Sequence, residues 1–151
     1  MSSGTQIFQN AFSEAGKYRL ALKTPKDQII NVEYTRDKSK KKAAYKKSKA
    51  IHLKSDIDSI YTSTEKAARW YKASVSSTKK RKAVTLSKDS VGGGFKFCVY
   101  QKGKRLKTVK VTKNDKVKTV KLPKKKGAYY VKVTKLTSKT TGAYYLGTYT
   151  Y

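Results

Sequence analysis

The sequence predicts an all-β fold, an antiparallel sandwich or barrel formed as a single domain over residues 1–151. Three observations carry this. Eight or more short alternating segments are punctuated by Gly, Asn-Asp and Pro. No ten-residue stretch shows a helical period of apolar residues. The tetrapeptide Gly-Ala-Tyr-Tyr occurs twice, at Gly127–Tyr130 and Gly142–Tyr145, each time opening an alternating segment. Successive side chains of a strand point to opposite faces, so one face enters a core while the other stays wet. Tyr129, Val131 and Val133 therefore share one side, with Tyr130 and Lys132 on the other. Tyr144, Leu146 and Thr148 share a side in the second copy. These segments read as the two closing strands, each entered through a glycine that turns at low steric cost.

The elements follow in order. Residues 1–15 form a loosely held arm or short edge strand, anchored only by Ile7, Phe8 and Phe12. Gly16–Leu22 repeats the Gly-x-Tyr-x-apolar pattern, Pro25-Lys26-Asp27 turns the chain, and Ile30, Val32 and Tyr34 supply a hairpin partner. Residues 35–49 are a basic loop holding Arg36, Lys38, Lys40, Lys41, Lys42, Lys46, Lys47 and Lys49. Repulsion between lysines three and four apart opposes a short helix through Ala43-Ala44-Tyr45. Ile51 and Leu53 flank His52, and Glu65–Ala68 suits one helical turn. Arg69–Val75 reads as a strand with Tyr71, Ala73 and Val75 on one face and Trp70 on the other. Lys79–Lys82 is a basic turn, Val84 and Leu86 open another strand, and Asp89–Gly94 is a glycine-rich loop. Phe95, Phe97 and Val99 make the most apolar inward face. A hairpin turn is expected at Gln101–Lys104 around Gly103, then a strand with Leu106, Val109 and Val111 and a turn at Asn114-Asp115. Val117, Val120 and Leu122 follow, and Pro123 ends that strand. Outward positions between 102 and 135 are mostly Lys or Thr, so at least one sheet face should be strongly positive.

Charge is the dominant feature of composition: 37 basic against 9 acidic residues give +28. Arg occurs five times, so 37 − 5 leaves 32 Lys. Arg suits bidentate recognition of phosphates and bases, whereas Lys is a solvated point charge, so the bias favours diffuse attraction to polyanions. The single cysteine, Cys98, excludes an intramolecular disulfide, and the chain is long enough to bury a core without one. No apolar run of about 18 residues is present to form a transmembrane helix. Met1-Ser2-Ser3-Gly4 reads as an engineered or processed start, with no signal peptide visible.

Catalytic constellations are sparse. One histidine excludes a multi-His zinc site, and His52 between Ile51 and Leu53 reads as a strand residue. Cys98 alternates out of phase with Phe97 and Val99 and reads as a buried small hydrophobe. Ser-x-x-Lys at Ser63–Lys66 and Ser76–Lys79 is expected by chance among so many lysines, and Gly92-Gly93-Gly94 lacks the Lys-Ser/Thr of a phosphate loop. Asp56 and Asp58 make a poor cation site in so positive a chain. The expectation is a non-enzymatic protein with no cofactor and no metal.

From Arg69 onward the sequence resembles the bacterial pre-peptidase C-terminal domain family over roughly residues 50–151. The matching parts are Trp70–Val75, Ala83–Leu86, Gly94–Tyr100, the Gln101–Lys104 turn, Thr119–Pro123, Gly127–Val133 and Gly142–Thr148. The resemblance implies a jelly-roll-like sandwich, a non-catalytic appendage of secreted bacterial enzymes and surface proteins. Its relatives include the collagen-binding domains of clostridial collagenases, which bind extracellular polymers, some with calcium. Here Ala67-Ala68-Arg69 replace the acidic residue that often precedes the Trp/Tyr strand, so no calcium site is carried over.

Together these readings point to a secreted or cell-surface module that attaches to an anionic polymer, such as teichoic acid or a glycosaminoglycan. Arg36, Lys38–Lys49, Lys79, Lys80, Arg81, Lys82, Lys124, Lys125 and Lys126 would carry the attraction, with Tyr130, Tyr145, Tyr149 and Tyr151 as a candidate exposed aromatic strip. The alternatives are a nucleic-acid-binding protein using the same lysines plus Tyr stacking, a cationic toxin acting on anionic membranes, and a structural surface-layer or fibre subunit.

Overall fold

A computed structural model of the chain describes residues 44–53, 60–62, 68–89, 93–138, 140 and 143–151. The arm over 1–15, the hairpin through 16–34, most of the basic loop, Asp56, Asp58 and the turn through 65–67 lie outside the described residues. A 3-10 turn at Lys47–Lys49 leads into nine strands among the described residues. These are β1 (Ile51–Leu53), β2 (Ile60–Thr62), β3 (Arg69–Val75), β4 (Lys82–Asp89), β5 (Phe95–Gln101), β6 (Lys104–Val111), β7 (Val117–Lys121), β8 (Gly127–Lys135) and β9 (Ala143–Thr150).

The strands form two sheets, ordered β1-β3-β8-β5-β6 and β2-β9-β4-β7. The chain passes between sheets at β3–β4, β4–β5, β6–β7, β7–β8 and β8–β9, the wrapping of a jelly-roll-like sandwich. Every pairing is antiparallel except β1 with β3. That pair runs parallel because the intervening segment lends β2 to the other sheet before returning, so the chain re-enters in its original direction. The two Tyr-Tyr strands are not neighbours: β8 is central in the five-stranded sheet and β9 interior in the four-stranded one.

Period-two alternation places the core as the sequence implies. β3 is buried at Arg69, Tyr71, Ala73 and Val75, and β8 at Tyr129, Val131 and Val133. Phe95, Phe97 and Val99 of β5 face Val84, Leu86, Val120, Tyr144 and Leu146 across the interior in one hydrophobic cluster. Three tyrosine hydroxyls taken inside find partners, as buried hydroxyls must. Tyr71 and Tyr144 share a hydrogen bond of 2.7 Å between the sheets, and Tyr129 donates to the carbonyls of Lys125 at 2.9 Å and Pro123 at 3.3 Å.

The turns follow local chemistry. Lys102 (φ 46°) and Gly103 (φ 80°) are both left-handed, the two-residue hairpin geometry whose twist matches its strands. Asp115 accepts from the Thr112 N–H at 2.9 Å and hydroxyl at 2.7 Å, closing the β6–β7 turn. Gly94 is required by close approach: a Cβ there would lie 2.1 Å from the Val111 carbonyl. Buried Thr140 clamps the same spot, accepting from the Gly94 N–H at 3.2 Å and donating to its carbonyl at 3.0 Å. β6 and β7 are lysine-bearing edge strands, a composition that disfavours edge-to-edge aggregation. The register shift opposite Val99/Tyr100 leaves Leu106 of β6 out of the ladder and exposed.

Candidate polyanion interface

The outer face of the five-stranded sheet is built by register. Trp70, Lys132, Cys98 and Thr108 form one outward row across β3, β8, β5 and β6. The neighbouring row is His52, Lys72, Tyr130, Tyr100 and Arg105. Trp70 and Tyr100 lean together across β8, with ring centroids 5.5 Å apart. The Lys132 ammonium lies 5.6 Å from the Trp70 ring, and the Lys47 ammonium, brought in by the 3-10 turn, 4.7 Å from Tyr130. All three rings are half-buried. Cys98 is buried although it points outward, with its sulfur 3.4 Å from the Thr108 hydroxyl. Burial pushes the Tyr100 phenol above its ordinary pKa, Cys98 adds to this, and Arg105 opposes it. At the end of this face Lys96 and Lys110 stand directly opposite each other, a like-charge pair that costs stability.

The outer face of the four-stranded sheet differs. Tyr149, Ala83 and Lys121 make one row, Gly147, Thr85 and Thr119 the next, and Tyr145, Ser87 and Val117 a third. Tyr149 and Tyr151 have centroids 5.6 Å apart, and the Lys121 ammonium lies 5.5 Å from Tyr151. The anticipated aromatic strip is thus divided. Tyr145, Tyr149 and Tyr151 share this face, whereas Tyr130 belongs to the opposite sheet. Trp70, Tyr100, Lys72 and Lys132 are the partners of Tyr130 that sequence reading missed. The only signal was their outward phase against Tyr71, Val99 and Val131; which strands adjoin was not written locally.

The lysine groups separate as well. Val75 pairs with Gly127, so the β3–β4 and β7–β8 connections leave from one end of the sandwich. Lys79, Lys80 and Arg81 are gathered there with Lys124, Lys125 and Lys126, all exposed, beside the Lys102 turn. Lys82 is half-buried and its ammonium donates to the Ser74 carbonyl at 3.3 Å. Lys46, Lys47 and Lys49 lie instead around the turn beside the five-stranded face. Arg36, Lys38, Lys40, Lys41 and Lys42 fall outside the described residues.

Lys118 and Asp115 form an ion pair at 2.7 Å. The Lys118 hydrogen bond, followed by those from Thr112, holds the Asp115 carboxyl far below the usual carboxylate range. Its stabilising effect is therefore present above the ordinary carboxylate pKa and fades as pH falls below it. His52 Nε2 and the Ser74 hydroxyl are hydrogen-bonded at 3.0 Å on the exposed sheet face. Among the described residues no group of three His, Cys, Asp or Glu side chains is placed to hold a metal ion, and no helix is long and apolar enough to cross a membrane. No protein-family model matches this chain, and a search of curated proteins finds no match.

Proposed function

We propose that the chain is a non-enzymatic binding module, secreted or held at a cell surface, that attaches to an anionic polymer through its lysines. The observation that carries this reading is uncompensated charge. The chain carries +28, because 37 basic residues exceed 9 acidic ones, so most of its lysines and arginines have no carboxylate in the chain to pair with. A folded chain of this length has a radius of gyration of about 15 Å, and the Debye length is about 8 Å at physiological salt, so the ammonium groups lie within reach of one another. A polymer rich in phosphate, sulfate or carboxylate relieves that repulsion and releases its counterions on binding. Among the described residues, Lys79, Lys80, Arg81, Lys124, Lys125 and Lys126 concentrate exposed positive charge at one end of the sandwich. The resemblance to pre-peptidase C-terminal domains supports an appendage that works outside the cell.

Retention on teichoic acid, heparin and polyphosphate across a salt series tests the reading. Affinity should fall by about 10³-fold or more between roughly 50 and 200 mM salt if six or more contacts form. Retention indifferent to salt would overturn it. The second reading, a nucleic-acid binder, draws on the Tyr149–Tyr151 ring pair beside Lys121. A gel shift in competition with heparin separates the two.

A further inference from the structure

We infer that the outer face of the five-stranded sheet is a stacking platform for an acidic polysaccharide whose charge is carried directly on the sugar ring. The inference rests on the polyanion reading above and narrows it to one class of polymer and one face. Diffuse lysine attraction alone asks nothing of aromatic side chains. On this face, however, three rings from three adjacent strands, Trp70, Tyr130 and Tyr100, are set among ammonium groups. Two of the rings carry an ammonium at 4.7 and 5.6 Å from the ring centroid. With no anion nearby, a lysine rests on the negative face of the ring. An arriving carboxylate draws it off that face, since a charge-assisted hydrogen bond is the stronger contact, and the freed ring is then open to an apolar sugar face.

The short distance between ring and ammonium selects the ligand. A uronic acid bears its carboxylate one bond from the sugar ring, so one residue satisfies the aromatic ring and its lysine together. A nucleotide separates base and phosphate by a sugar and strains to engage both. A polyol phosphate has no ring to stack. The three rings stand on paired strands, with the one register shift falling between β5 and β6 beside Tyr100, so the sheet holds them in place and little ordering is needed on binding. The opposed Lys96 and Lys110 continue the positive strip, and a chain of carboxylates laid along the sheet relieves their repulsion.

Trp70 is the only tryptophan in the chain, so its fluorescence reports this face. The full chain is titrated with polygalacturonate, polyphosphate and poly(dT) at equal charge concentration and fixed salt. Polygalacturonate should shift Trp70 emission saturably. Tyr130→Ala should weaken its binding roughly tenfold, near the low end for loss of one stacking ring, while Tyr130→Phe keeps the ring and should stay within about twofold of the parent. Lys47→Ala, which leaves every ring in place, should also weaken polygalacturonate binding, and neither Tyr130 variant should alter retention on polyphosphate by more than about twofold. Urea midpoints for each variant establish that the fold is intact. Polyphosphate moving Trp70 emission as strongly as polygalacturonate, or Tyr130→Ala weakening all three ligands alike, would overturn the platform and leave the general polyanion reading standing. Preference for poly(dT) would overturn it in favour of nucleic acid. Failure to retain any of the three at low salt would remove both readings.

Discussion

Gly-Ala-Tyr-Tyr appears twice in this chain, and its two copies meet different surroundings. In both, the first tyrosine is buried and the second faces outward: Tyr129 and Tyr144 inside, Tyr130 and Tyr145 outside. The copies then diverge. Tyr144 sits in β9, joins the Tyr71 hydroxyl of the facing sheet and packs edge-on against Phe95 with centroids 4.9 Å apart. It ties one sheet to the other. Tyr129 sits in β8 and sends its hydroxyl to the carbonyls of Pro123 and Lys125, so it pins the connection that displays Lys124, Lys125 and Lys126. The outward pair divides likewise. Tyr130 lies in the centre of the lysine-and-aromatic face under Lys47, whereas Tyr145 is more exposed, in line with Ser87 and Val117. Strand periodicity sets inside and outside from the local sequence; the neighbour across a ladder or across the core sets what each ring does.

The largest test of that comparison removes the buried rings. Tyr144→Ala and Tyr129→Ala should each lose about 3–5 kcal/mol of stability, the usual cost of emptying a buried aromatic site. Tyr144→Ala should cost the more, because its contacts join the two sheets. Urea unfolding measures both, and an equal or reversed order would break the distinction drawn here.

Removing only the hydroxyls is gentler. Tyr144→Phe should cost about 1–2 kcal/mol, since it takes a partner from a hydroxyl deep in the core. Tyr129→Phe should cost about 0.5–1 kcal/mol, because water can reach the loop carbonyls. A double-mutant cycle with Tyr71→Phe sharpens the point: the coupling with Tyr144→Phe should exceed about 0.5 kcal/mol, and the coupling with Tyr129→Phe should not.

The smallest effects belong to the outward rings. Tyr130→Ala and Tyr145→Ala should each change stability by about 1 kcal/mol or less, with Tyr130 the costlier because it is half-buried on a central strand. A loss above about 2 kcal/mol at Tyr145 would show that the four-stranded face is more tightly packed than its exposure implies.

Much of this architecture was legible in the residues. Tyr71, Ala73 and Val75, then Phe95, Phe97 and Val99, then Tyr129, Val131 and Val133 announce inward faces by alternation alone. Gly103 and Asn114-Asp115 announce turns because few residues adopt those backbone shapes or close those loops as readily. The burial of Cys98 was legible too, although its outward phase argued against it. Less legible were Leu106 and Val117, apolar residues left exposed because a register shift and a sheet edge deny them neighbours.

The amino-acid order by itself determined the strand class, the inward faces, the turns and the excess of positive charge, because each depends on neighbours along the chain. Only the tertiary structure decided that β8 would lie between β3 and β5, that β1 would run parallel to β3, and that Tyr71 would meet Tyr144 across 73 positions. Those choices bring Trp70, Tyr100 and Tyr130 onto one face and send Tyr145, Tyr149 and Tyr151 to the other. The physical reason is that pairing partners are selected by burying both sheets against each other at once, a condition on the whole core that leaves no mark in any short stretch of chain.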